Sequence, residues 1–154
     1  MIEIEIPGRG VLTLHHAAFD VNGTLATDGR LIEGVDTLLA TLRERVAVHL
    51  LTADTHGRQA AIDAQLGLSA RIITRGAAEK AEIVRALGAE HVVAVGNGAN
   101  DAPMFGAAAL AIAVLGEEGL AVAALQSADV VVRHIHDALA LLLTPRRLVA
   151  TLRR

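Results

Sequence analysis

The chain has no cysteine, tryptophan or tyrosine; Phe19 and Phe105 are its only phenyl rings, and a single lysine, Lys80, stands against thirteen arginines. Each shortage excludes something. Without cysteine there is neither a disulfide nor a thiolate metal site, and nothing calls for an oxidising compartment, so a cytoplasmic protein is expected. With two phenyl rings there is little for bases to stack on, and a formal net charge of −3 leaves no electrostatic footprint for nucleic acid or an anionic membrane surface. Neither partner is expected. Long hydrophobic runs are also missing: the apolar stretch from about 102 to 116 is broken by Pro103 and glycines and stops at Glu117-Glu118, too short to span a bilayer. The start, Met1-Ile2-Glu3-Ile4-Glu5-Ile6, alternates acid with isoleucine and lacks the basic start and apolar run of a signal peptide.

What the chain does have is 53% hydrophobic content in 154 residues, enough for one domain over 1–154 with a core of Ala, Leu, Val and Ile. Residues 2–6 and 11–14 read as strands joined by Pro7-Gly8-Arg9-Gly10, an N-terminal β-hairpin over 1–14 ahead of a core over 15–154. A strand ending at Asp20 and a polar loop to Glu33 follow. Helical spacing from about Val35 then alternates with short apolar runs. The strands are Val46–Leu51, Arg71–Thr74, His91–Val95, Leu110–Val114 and Asp129–Arg133. The helices between and after them are Arg58–Leu66 closed by Gly67, Ala78–Leu87 closed by Gly88, a helix near Asn100–Ala107, Glu118–Ser127, and a last one from about Ile135. Apolar strands alternating with helices imply an α/β, Rossmann-like three-layer fold with a parallel sheet covered on both faces.

In such a sheet the strand ends converge on one crevice. Phe19-Asp20-Val21-Asn22-Gly23-Thr24-Leu25 sets an acid, an amide and a glycine directly after an apolar run, which is either a chemical site or an Asn-Gly hairpin with Asp20 capping the turn. Thr52 follows Leu50-Leu51, where its hydroxyl either donates to a phosphate oxygen or makes an ST-turn. Lys80 is either a compact point charge between a carboxylate and a phosphate or a solvated residue of a helix's first turn. Gly96-Asn97-Gly98-Ala99-Asn100-Asp101 is a second glycine-bearing turn after a strand, and its acid and amides complete an oxygen-ligand cation site with Asp20, suited to Mg²⁺.

Taken together, these residues resemble the motifs of the haloacid dehalogenase-like hydrolase superfamily, in order and over about residues 15–132. Asp20-Val21-Asn22-Gly23-Thr24-Leu25 is similar to its first motif, Thr52 and Lys80 to the next two, and Gly96–Asp101 to its acidic loop. The acidic loop followed by Ala102-Pro103-Met104 further resembles the phosphorylation domain of P-type ATPases and their soluble relatives. The resemblance implies a Mg²⁺-dependent phosphohydrolase whose Asp20 forms an aspartyl-phosphate. It assigns catalysis to Asp20, Asn22, Thr52 and Lys80, phosphate binding to Gly23, Thr24, Thr52, Ala53, Lys80 and Asn100, and the metal to Asp20, Asn22, Asn97 and Asp101.

Two departures matter. Asn22 stands where family phosphatases carry the aspartate that acts as general acid and base, which implies slow turnover or a persistent phospho-Asp20. Asn97 stands where they carry a metal-binding aspartate, which implies a weaker metal site. The alternative is a catalytically weak or inactive regulatory protein that binds phosphate and acts through a partner or oligomer. The intervals from Asp20 to Thr52 and from Thr52 to Lys80 are too short for a cap domain. The crevice is therefore expected to be open, taking a phosphorylated small molecule or macromolecule, unless a homo-oligomer covers it. His56 reads as a loop residue near the crevice, and the basic tail through Arg146, Arg147, Arg153 and Arg154 as a solvated helix face.

Overall fold

The computed structural model describes residues 1–54 and 57–154. His56 lies outside the described residues. In chain order the elements are β1 (Ile2–Ile6), β2 (Gly10–Leu14), β3 (His16–Asp20), β4 (Ala26–Thr27), β5 (Arg30–Leu31), α1 (Val35–Arg43), β6 (Ala47–Thr52), α2 (Gln59–Leu66) and β7 (Arg71–Ile72). There follow α3 (Ala77–Ala86), β8 (Val92–Gly96), α4 (Ala102–Ala107), β9 (Leu110–Val114), α5 (Val122–Ser127), β10 (Val130–Val132), α6 (Ile135–Leu143) and α7 (Arg146–Leu152).

Six strands form a parallel sheet in the spatial order β10-β9-β8-β3-β6-β7. Numbered along the chain, this is the doubly wound order 3-2-1-4-5-6 read from one edge. The central strands β8 and β9 are buried at every position, which is why they read as unbroken apolar runs rather than alternating ones. One face packs α1, α2 and α6 through Val35, Leu39, Leu42, Ile62, Leu66, Leu139 and Leu142. The other packs α3, α4 and α5 through Ile83, Val84, Met104, Phe105 and Ala124.

The N-terminal hairpin is present, with Ile4 opposite Leu12. Ile2, Ile4 and Ile6 are buried while Glu3 and Glu5 are exposed, so the alternation dips its isoleucine face into the first core cluster, where Leu148 of α7 joins it. Those isoleucines are spent on this chain's own core.

Four local differences from the sequence expectations have physical causes. The polar loop after Asp20 contains the tiny hairpin β4–β5, with Ala26 opposite Leu31. The strand expected over Arg71–Thr74 stops at Ile72, because the main-chain N–H groups of Thr74 and Arg75 turn to the Glu79 carboxylate at 2.9 and 2.8 Å. The helix expected from Glu118 begins at Val122, since Gly119 holds a left-handed φ of +83° and the Ala121 N–H donates to the Asn97 carbonyl at 2.9 Å. The last helix divides at Thr144-Pro145, where proline lacks an N–H and pushes its predecessor out of helical geometry.

At the amino edge of the sheet four histidines gather from three strand starts. His16 Nδ1 and His49 Nε2 lie 3.2 Å apart, and the His15 and His91 rings meet edge to face with centroids 4.7 Å apart. His91 Nδ1 donates to the Thr13 carbonyl at 2.8 Å. Burial first, and then the neighbouring histidine charges, hold His16 and His49 below the ordinary value of 6.5. The unfolded chain therefore takes up protons before the folded one does. The stability contributed by this pair is complete above 6.5 and lost as pH falls below it. Urea unfolding at about pH 8 and about pH 5 is expected to show a smaller acid loss in His49→Gln than in the wild type. Equal losses would remove the pair from the pH response.

Candidate active site

β3 and β8 are neighbours in register, with Phe19 opposite Val95, and they end on Asp20 and Gly96. Their connections leave in opposite directions along the sheet. This is the switch point of a doubly wound fold, where a crevice opens beyond the carboxyl ends of the strands. The turn at Gly23 requires glycine for two reasons: its φ is +81°, and a Cβ there would stand 2.5 Å from the Asn97 amide nitrogen.

A cavity of about 220 Å³ lies at this point, lined by Asp20, Asn22, Ala53, Asn97, Gly98, Asn100 and Glu118. Thr24, Thr52, Lys80 and Asp101 are fully buried around it. Lys80 Nζ donates to Asp20 Oδ1 at 2.6 Å and to Asp101 Oδ1 at 2.7 Å. The Glu79 contacts to Thr74 and Arg75 pin the turn before α3, and α3 then carries Lys80 into the site in its first turn. Asp101 Oδ2 accepts from the Asn97 and Gly98 N–H groups at 3.0 and 2.9 Å, which folds the Gly96–Asp101 loop around the acid. Thr24 Oγ1 lies 3.2 Å from Asp20 Oδ2 and 3.0 Å from Asn97 Oδ1, its one proton shared between them. Asn22 Nδ2 donates to Thr52 Oγ1 at 3.3 Å and the Asp54 N–H does so at 3.0 Å, leaving the Thr52 hydroxyl proton free among the described residues.

Two buried carboxylates share one ammonium, so this centre carries an excess negative charge. Burial first, and the Asp101 charge second, push Asp20 up to about 7, while Lys80 and Thr24 pull the other way. For Lys80, burial alone would lower the value, but the two carboxylates outweigh it and raise it above 10.5. The groups facing the cavity at this charge are all oxygen donors or amides, which fits a hard divalent cation that takes a few protein oxygens and keeps its waters. Among the described residues no three His, Asp or Glu side chains converge tightly enough to enclose a metal by themselves.

Of the residues singled out from the sequence, Asp20, Asn22, Ala53, Asn97 and Asn100 line the cavity, and Thr52, Lys80 and Asp101 lie beside them. Gly23 and Thr24 sit behind Asp20 as turn and brace. Glu118 was missed, having been read as a helix start. The rule that found the other residues, an acid just beyond an apolar strand, also points to Glu117-Glu118 after Leu110–Val114.

No family model matches the chain. An uncharacterised protein of Methanocaldococcus jannaschii is 47% identical over 62 residues, 40% of this chain and 67% of that protein. The cobalt-bound deoxy-D-mannose-octulosonate 8-phosphate phosphatase of Haemophilus influenzae superposes with a TM-score of 0.72 at 16% identity, over 88% of this chain and 90% of that one. A zinc-transporting PIB-type ATPase in its E2.Pi state superposes with a TM-score of 0.62 at 31% identity over 79% of this chain, which spans only 20% of that protein. Among the described residues no helix is long and apolar enough to cross a membrane. Among the described residues, the elements between β3 and α1 are the short strands β4 and β5, and those between Thr52 and the start of α3, which carries Lys80, are α2 and β7. In its sheet order the chain has the Rossmann-like fold of the haloacid dehalogenase-type structures it superposes on, with no cap domain among the described residues.

Proposed function

We propose that the chain acts as one domain and is a Mg²⁺-dependent phosphohydrolase using Asp20 as nucleophile. The observation that carries this reading is the Asp20 carboxylate at the edge of an open cavity, with Oδ1 held 2.6 Å from Lys80 Nζ and Oδ2 3.2 Å from Thr24 Oγ1. A carboxylate fixed at both oxygens is aimed rather than free to turn, and aim is most of what phosphoryl transfer asks of a protein. One Asp20 oxygen attacks phosphorus, the bond from phosphorus to the leaving group breaks, and the departing oxygen takes its proton from water. A second water then cleaves the aspartyl-phosphate, returning Asp20 and releasing inorganic phosphate. Thr52, through its free hydroxyl proton, and Lys80 steady the transferring oxygens, and the Asn100 amide and the N–H groups around Gly23 and Ala53 line their path. Mg²⁺, held by Asp20, the Asn22 carbonyl and the Asn97 oxygen with Asp101 behind them, would neutralise charge between carboxylate and phosphate.

Asn22 can neither give a proton to the leaving group nor take one from the water. The expected consequence is slow turnover, and Asn22→Asp is expected to raise the rate by a factor on the order of 10²–10⁴. The assay is release of p-nitrophenol from p-nitrophenyl phosphate with Mg²⁺, with Asp20→Asn expected to be inactive. A wild type that neither turns over nor retains phosphate removes the enzyme reading, and an Asn22→Asp rate equal to wild type removes the account of the missing acid. The second reading, a phosphate-binding regulatory protein, is favoured by Asn22 itself, whose amide is spent on Thr52. It predicts phosphate binding with no turnover in either variant.

A further inference from the structure

We infer that Glu118 holds the divalent cation from across the crevice, supplying the negative charge that residue 97, being an asparagine, does not; this rests on the phosphohydrolase reading above. Glu118 lines the same 220 Å³ cavity as Asp20 and Asn97 but comes from a different strand end, the loop between β9 and α5. Its Oε2 accepts the Asp28 N–H at 3.4 Å, and its other carboxylate oxygen has no protein partner among the described residues. The carboxylate is thus tethered lightly on one side and open on the other.

The loop bearing Glu118 is fastened to the site by residue 97 itself. Asn97 Nδ2 donates to the Gly119 carbonyl at 3.1 Å, and the Asn97 carbonyl accepts the Ala121 N–H at 2.9 Å. An aspartate at 97 could not make the first of these bonds and would set its charge against a carbonyl oxygen. On the other flank of Glu118, Gly116 runs so close to the nucleophile turn that a Cβ there would stand 3.2 Å from the Gly23 carbonyl oxygen. The amide at 97 therefore removes a charge from the crevice wall and clamps in place the loop that brings another.

Charge balance favours the same arrangement. Asp20 and Asp101 against Lys80 leave one excess negative charge, and a divalent cation would overshoot it by one. The Glu118 carboxylate closes the difference beside a buried centre, where an unmatched charge is costly. Its neighbour Glu117 faces a separate cavity of about 420 Å³ with Thr27, Arg30 and His134, and so provides an internal control.

The test is Mn²⁺ binding to the full chain, followed by the loss of the free-ion paramagnetic resonance signal, with no substrate present. Glu118→Gln is expected to weaken Mn²⁺ binding by about 10–100-fold, Glu118→Asp to recover part of it, and Glu117→Gln to leave it unchanged. In an Asn97→Asp background, where the charge returns to the crevice wall, Glu118→Gln is expected to change affinity by less than about twofold, since the two acids act on one ion. Glu118→Gln binding Mn²⁺ as tightly as wild type, or losing as much in the Asn97→Asp background, overturns the inference and leaves the phosphohydrolase reading standing. A wild type that binds no Mn²⁺, or an Asp20→Asn variant that binds as tightly as wild type, overturns the metal-dependent reading on which it rests.

Discussion

Asp20→Asn is expected to abolish phosphate release and, in the metal-free protein at about pH 8, to melt at a higher temperature than wild type. The first part follows because a carboxamide oxygen does not attack phosphorus. The second follows from charge: at neutral pH and above, the buried trio of Asp20, Asp101 and Lys80 holds two anions against one cation. Asp20 has a folded-state value of about 7 against an ordinary 3.8, so between these limits the folded chain binds its proton more tightly than the unfolded chain. Stability from this group is therefore greatest at the acid end, falls as pH rises from 3.8 toward 7, and carries its full cost above that. The variant removes the cost while its amide oxygen can still accept from Lys80. Thermal melts in a chelator across this range check it: the wild-type curve is expected to decline relative to Asp20→Asn as pH rises. A variant less stable than wild type at every pH would mean that Asp20 is a structural ion-pair partner before it is a nucleophile.

Lys80→Met is expected to act in the opposite sense. It leaves Asp20 and Asp101 facing each other with no cation, both at 8% side-chain exposure or less. Breaking a buried pair by removing one partner costs about 3–5 kcal/mol, a large share of the stability of a domain this size, and activity is lost with it. Lys80→Arg is not expected to rescue, because the two carboxylate contacts at 2.6 and 2.7 Å converge on one fully buried nitrogen and a guanidinium is broad and forked. Adding Asp101→Asn to Lys80→Met is expected to recover part of the loss, since the amide oxygen can still receive the Asn97 and Gly98 N–H groups. Urea unfolding of the single and double variants measures both effects. An Lys80→Met protein as stable as wild type would contradict the charge accounting at the site.

The contrast between these variants shows which parts of the molecule were legible in its residues. β8 and β9 announce themselves because a strand buried on both faces must be apolar throughout, and Asp20, Lys80 and Asp101 stand out because polar groups break such runs or because one lysine stands alone among arginines. The fold class follows from that alternation. What is contributed across space was not legible. Nothing near Glu118 in sequence says that its loop is tied to Asn97, a residue 21 positions earlier. Its helical-looking neighbourhood is overruled by Gly119 and by that tie. The four histidines at the other edge of the sheet come from three separate segments, and only the parallel register of β3 against β6 and β8 brings them together. The hairpin β4–β5 was hidden for a different reason: two residues per strand leave no periodicity to read.

The central claim, that Asp20 carries the phosphoryl group, is tested most directly by protein mass spectrometry after exposure to acetyl phosphate and Mg²⁺ and quenching in acid, where acyl phosphates survive. The account predicts a gain of one phosphoryl group in the wild type, located on the peptide containing Asp20, discharged by hydroxylamine and absent from Asp20→Asn. A phosphoryl group on any other residue, or none in the wild type, would contradict it.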